Sequence, residues 1–100
     1  MYYLYILYSP EHDLYYVGQT NDPQRRLEEH NTKPFNTYTS KYRPWVLKAQ
    51  FAISEGRKKA MAYERKLKSL RSRNIIEQLI ANSGKTDVLA QLVRVPTGRD

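Results

Sequence analysis

Two runs of aromatic and aliphatic residues stand close together at the start of the chain, Tyr2 to Tyr8 and Leu14 to Gln19, with Ser9-Pro10-Glu11-His12-Asp13 between them. Both runs favour extended backbone and the segment between them is made of turn formers, so the pair predicts an antiparallel hairpin. Alternate side chains of a strand share a face, which groups Tyr3, Tyr5 and Leu7 on the first strand and Leu14, Tyr16 and Gly18 on the second. If the register pairs odd positions with even ones, Tyr5 and Tyr16 become neighbours on one face. Two phenols then point at the same place.

Asp22-Pro23 predicts a helix start, because the Asp side chain accepts from free amides and proline at the first helical position loses no hydrogen bond. That helix is expected to reach about Asn31. Its one strongly apolar member is Leu27, while Arg26 and His30 stack one turn apart, so this surface meets either solvent or a ligand. Lys33 to Pro44 reads as a loop and Trp45 to Ile53 as a third strand. Ser54 is expected to cap a helix from Glu55 to Leu70, and Ser72 another from Arg73 to about Asn82 whose Ile75, Ile76, Leu79 and Ile80 form a stripe suited to packing on a sheet. The order is β-β-α-β-α-α over residues 1–82. Residues 83–100 read as a C-terminal extension, partly helical or frayed. In it Val88, Leu89, Leu92 and Val93 suit a turn or two of helix or a weak dimer contact, and Pro96 to Asp100 is expected to fray.

One hundred residues set the scale of a single domain with one modest core, since a chain this short buries roughly 60–70% of its unfolded surface. Seventeen Lys and Arg against ten Asp and Glu leave a formal charge of +7, the balance of a protein that meets phosphates; the plainer reading is solubility alone. There is no cysteine, which excludes disulfides, zinc knuckles and thiol catalysis together. No run approaches the roughly 18 apolar residues of a membrane span, and Met1-Tyr2-Tyr3 lacks the basic start of a signal peptide. A soluble, cytoplasmic protein without membrane contact is expected.

Glu64 is the least expected residue of its helix. Ala60, Met61, Tyr63 and Leu67 define an apolar arc and Glu64 falls inside it, while Lys58, Arg65 and Lys66 supply the opposite side. An unpaired carboxylate there would cost several kcal/mol, so it requires a cation, either a metal ion or a basic residue such as Arg26.

In these residues the chain resembles the GIY-YIG endonucleases. Tyr3-Leu4-Tyr5 takes the place of the first motif with only its last tyrosine matching, and Tyr16-Val17-Gly18 is close to the second. Arg26 follows Tyr16 by ten residues, the place of the family's arginine, and His30-Asn31 follows one turn later. Arg43-Pro44-Trp45 and the stretch Ala62, Glu64, Leu67, Lys68 are similar to the small stand-alone bacterial branch, itself similar to the nuclease domain of the Slx1 group. The likeness runs from residue 2 to about residue 80.

The resemblance implies an α+β fold, a small three-stranded antiparallel sheet flanked by helices, and hydrolysis of a phosphodiester with one divalent ion, Mg²⁺ or Mn²⁺. It implies Tyr5, Tyr16, Arg26 and His30 as catalytic groups and Glu64 as the metal ligand; Gly18, Gln19, Lys41 and Arg43 are candidate nucleic-acid contacts. The substrate is expected to be structured or damaged DNA, with RNA as the other nucleic acid, and a protein partner is a candidate source of substrate choice. Many members carry lysine after the second-motif glycine, where this chain has Gln19, which leaves the general base open between Tyr16 and His30. Two rivals remain: a nucleic-acid-binding module of the same fold without catalysis, and a small basic RNA-binding protein whose Trp45 and exposed tyrosines stack bases.

Overall fold

The computed structural model describes residues 1–33 and 38–95. Strands β1 (Tyr2–Ser9), β2 (Leu14–Thr20) and β3 (Val46–Ile53) form an antiparallel sheet in the order β2-β1-β3. Helices α1 (Pro23–Thr32), α2 (Tyr38–Lys41), α3 (Arg57–Leu70), α4 (Arg73–Ala81) and α5 (Thr86–Leu92) surround it. The expected α+β order holds, with α5 in the stretch expected to be partly helical and α2 as an addition. α2 lies in the segment expected as loop, of which residues 34–37 fall outside the described residues, as does the expected frayed end at 96–100.

The central strand β1 is covered on both sides, and Leu4, Tyr5, Ile6 and Leu7 are all at most 1% exposed, which is why its sequence is an unbroken apolar run. On one face Leu4, Ile6, Val17 and Phe51 pack with Ala60, Tyr63 and Leu67 of α3 and Leu79 of α4. On the other, Tyr5, Leu7 and Trp45 gather Tyr16, Leu27, Tyr42 and Leu47. A bulge divides β3 between the two. Ile6 faces Ala49 but Leu7 faces Leu47, so Lys48 is the extra residue. Trp45, Leu47, Ala49, Phe51 and Ile53 alternate without interruption and would all share one face of a regular strand; the bulge turns Trp45 and Leu47 to the other side.

Asp22 caps α1 by accepting from the Arg25 amide at 3.1 Å, and Ser72 caps α4 through the Ile75 amide at 3.2 Å, both as expected. Ser54 does not cap α3. The chain turns at Ser54-Glu55 and the helix begins after Gly56, whose φ of 103° suits glycine and strains other residues. Met61 is 36% exposed, so the buried stripe of α3 is Ala60, Tyr63 and Leu67, and Glu64 lies at its edge with a side chain 23% exposed. Leu89 and Val93 are fully buried in the same cluster as Phe51 and Tyr63, which removes them from any dimer contact. The hairpin turn is tied to α4: Arg73 donates to the Asp13 carboxylate and carbonyl and lies over the Tyr15 ring, and Tyr8 donates to Asp13 at 2.7 Å.

The end of α1 is clipped to the start of β3. Asn31 accepts from the Trp45 amide at 2.7 Å and donates to the Trp45 carbonyl at 2.9 Å, while the Trp45 indole donates to the Thr39 carbonyl at 2.8 Å. Replacing Asn31 by alanine orphans a backbone donor and acceptor together, so Asn31→Ala is expected to lower unfolding free energy by about 1–3 kcal/mol in urea melts. A loss below about 0.5 kcal/mol would show that the clip carries no weight.

Candidate active site

The hairpin register settles where the phenols lie. Tyr5 faces Gly18 and Leu7 faces Tyr16, so Tyr5 and Tyr16 are diagonal neighbours on one face, with ring centroids 6.5 Å apart. The Tyr5 ring lies across Gly18: a Cβ there would come within 2.5 Å of Tyr5 Cζ and closer still to its hydroxyl. Gly18, expected as a nucleic-acid contact, is instead covered by a phenol. Gln19, one residue on, alternates to the opposite face beside Leu4, away from the tyrosines. Its Oε1 is buried without a hydrogen-bond partner among the described residues.

The crossing over Gly18 brings the Tyr5 hydroxyl 3.0 Å from His30 Nε2 on α1. His30 is only 4% exposed, and burial pushes its pKa down to about 4, with Arg26 adding to the fall. Burial likewise drives the Tyr5 phenol well above its usual range, helped by Tyr16 and opposed by Arg26. Both groups are neutral at pH 7 and form an uncharged hydrogen-bonded pair. A histidine this acidic is a poor base near neutrality. Tyr16, edge-on to His30 at 5.0 Å, is the phenol that borders open space.

That space is a cavity of about 260 Å³ bordered by Tyr16, Arg26, Glu29, His30, Lys33, Tyr38, Thr39 and Arg43. Arg26 stands in it, 40% exposed, with Nη1 donating to Glu29 Oε1 at 2.9 Å. Arg43 borders it but its guanidinium is engaged elsewhere, donating from Nε to the His30 carbonyl at 2.6 Å and from Nη2 to the Lys33 carbonyl. It satisfies the last carbonyls of α1. Lys41 is exposed on α2 and does not border the cavity. Trp45 is 2% exposed and offers no stacking surface.

Glu64 finds its cation within its own helix. Lys68 Nζ lies 2.8 Å from Glu64 Oε2 and 5.2 Å from the centre of the Tyr16 ring. The partner is Lys68 and not Arg26, which holds Glu29. Glu64 borders a separate hollow with Met61, Arg65 and Lys68 rather than the cavity of Arg26, and its link to Tyr16 runs through Lys68. Glu29 and Tyr38 border the site without having been singled out from sequence; Lys68, noted there only within the matched helix stretch, reaches Tyr16 from its pair with Glu64, whose spacing is the favourable order for a helical ion pair.

Two tests follow from the Tyr5, Gly18 and His30 contact. Gly18→Ala must displace the Tyr5 ring, with an expected loss of about 1–3 kcal/mol in stability and loss of the His30 contact in imidazole NMR spectra. An unchanged His30 spectrum would refute the crossing. His30 binds protons more weakly folded than unfolded, so its contribution to stability is complete above pH 6.5 and is lost as pH falls through 4. Between pH 7.5 and 4.5 the loss is expected to be about 2–3 kcal/mol by denaturant titration, and absent in His30→Gln; equal slopes in both proteins would contradict it.

The solution NMR structure of the UPF0213 protein BH0048 from Bacillus halodurans is 28% identical, with a TM-score of 0.50, over 96% of this chain and 100% of that one. No curated protein matches the chain. Residues 1–77 match the GIY-YIG catalytic domain, a stretch holding both tyrosine segments, Arg26, His30 and Glu64. The chain belongs to the GIY-YIG catalytic domain family, whose members are endonucleases.

Proposed function

We propose that the chain is a divalent-metal-dependent endonuclease that cuts structured or damaged DNA. The observation that carries this reading is that Tyr16 borders the cavity holding Arg26 and has Lys68 over its ring, with the Glu64 carboxylate paired to that Lys68. A scissile phosphate seated in the cavity would meet the Arg26 fork, which grips two oxygens and offsets the charge that builds in the transition state. Tyr16 would orient the attacking water by hydrogen bonding. The neutral Tyr5 and His30 pair would hold the floor of the site rigid and dry.

No group of three or more His, Cys, Asp or Glu gathers among the described residues, so a closed protein cage for an ion does not fit. Glu64 alone does fit Mg²⁺ or Mn²⁺, which accept one carboxylate and complete their shell with water and phosphate oxygens. The bound ion would polarise the phosphate. Its access requires Lys68 to release Glu64, and with Lys68 48% exposed that pair costs little to open. The same pairing favours the rival reading, a module that binds nucleic acid without cutting it, because Lys68 already neutralises the carboxylate.

The two readings separate on Glu64. With Mg²⁺ or Mn²⁺ the purified protein should nick flapped, branched or single-stranded DNA. Glu64→Ala should retain binding with turnover reduced by at least about 10³-fold. Arg26→Lys keeps the charge and loses the fork, so it should lower kcat far more than affinity. Equal cutting by Glu64→Ala and wild type would refute the assignment.

A further inference from the structure

Tyr38 is the one aromatic side chain among the strongly exposed large hydrophobic residues of the described chain, at 50%. It borders the same cavity as Tyr16, Arg26 and His30. Its ring lies 6.4 Å from Tyr16 at an interplanar angle of 27°, and 4.9 Å from Tyr42 at 57°. Tyr42 in turn meets His12 at 5.1 Å, so rings lead in sequence from the buried phenols to the surface. The element that carries them is anchored: the Trp45 indole holds the Thr39 carbonyl, and the Tyr42 amide donates to the same carbonyl at 3.4 Å. The aromatic face is thus held in place beside a cavity bordered by Arg26, Lys33 and Arg43.

We propose that Tyr38, backed by Tyr42, is a stacking platform for one unpaired base next to the scissile phosphate, so that the site takes a strand that leaves its duplex there. This deepens the endonuclease reading and rests on it for the location of the phosphate. The cationic border attracts the backbone, and an aromatic face beside it supplies the other half of single-strand recognition. Inside a duplex both faces of a base are covered by its neighbours. Only a base free of the stack can lie on Tyr38, which selects single strands, flaps and forks over continuous duplex. Stacking needs the ring and not the hydroxyl, and it reads no sequence.

The test is equilibrium binding without divalent ion, using a single-stranded DNA oligonucleotide that carries 2-aminopurine and a duplex of the same sequence. Wild type should prefer the single strand and quench the fluorophore. Tyr38→Ala should lose the quenching and bind the single strand about 5- to 100-fold more weakly, with duplex affinity unchanged. Tyr38→Phe should behave as wild type. Equal weakening on both DNAs, single-strand affinity unaffected in Tyr38→Ala, or a Phe variant as poor as Ala would each overturn the platform. The two proposals fail separately. A protein that stacks the base and never cuts refutes the endonuclease alone; one that cuts flaps while Tyr38→Ala binds single strands normally refutes the platform alone.

Discussion

The site depends on the passage of the Tyr5 ring over Gly18. Glycine at that position lets a central-strand phenol lie flat across the neighbouring strand and reach His30 on the helix beyond. One hydrogen bond thereby joins the sheet to α1, in a region where both partners are buried and neutral. Placement of α1 then places Arg26 one turn earlier, and with it the cavity. Asn31 and Arg43 secure the far end of the same helix, one through the backbone of Trp45 and the other through the His30 and Lys33 carbonyls. These contacts fix where α1 and the cavity lie.

Two ion pairs on separate helices flank Tyr16, Arg26 with Glu29 on α1 and Lys68 with Glu64 on α3. Each pair is partly exposed and therefore inexpensive to break. On the endonuclease reading a phosphate would compete with Glu29 for Arg26, and a dication with Lys68 for Glu64. Tyr16 adjoins both, since it borders the cavity that holds Arg26 and lies under the Lys68 ammonium. Such an arrangement keeps the free protein free of isolated buried charge, which would otherwise oppose folding.

Local chemistry made much of this legible in the sequence. Asp22 and Ser72 act on amides three residues away, and the two tyrosine segments carry strand preference and a turn between them, so caps and hairpin were visible. The register was visible only as a condition, because strand alternation places Tyr5 and Tyr16 on one face under one parity and apart under the other. The bulge at Lys48 was hidden by the clean alternation from Trp45 to Ile53. Ser54 looked like a cap because the turn that displaces the helix start depends on the backbone of Gly56. Arg43 and Gly18 were read as nucleic-acid contacts, yet one reaches helix carbonyls and the other lies under a phenol; both results are tertiary. Lys68 was the nearest miss, since its spacing from Glu64 was plain and only its approach to Tyr16 required the fold.

The most direct measurement concerns Glu64. Paramagnetic broadening by Mn²⁺ can be followed in isotopically labelled protein bound to a phosphorothioate oligonucleotide that resists cutting. If the carboxylate holds an ion beside the phenols, broadening concentrates on Glu64, Lys68 and Tyr16, reaches Tyr5 and Arg26 more weakly, and vanishes in Glu64→Ala. Broadening centred elsewhere, or retained in Glu64→Ala, would contradict it.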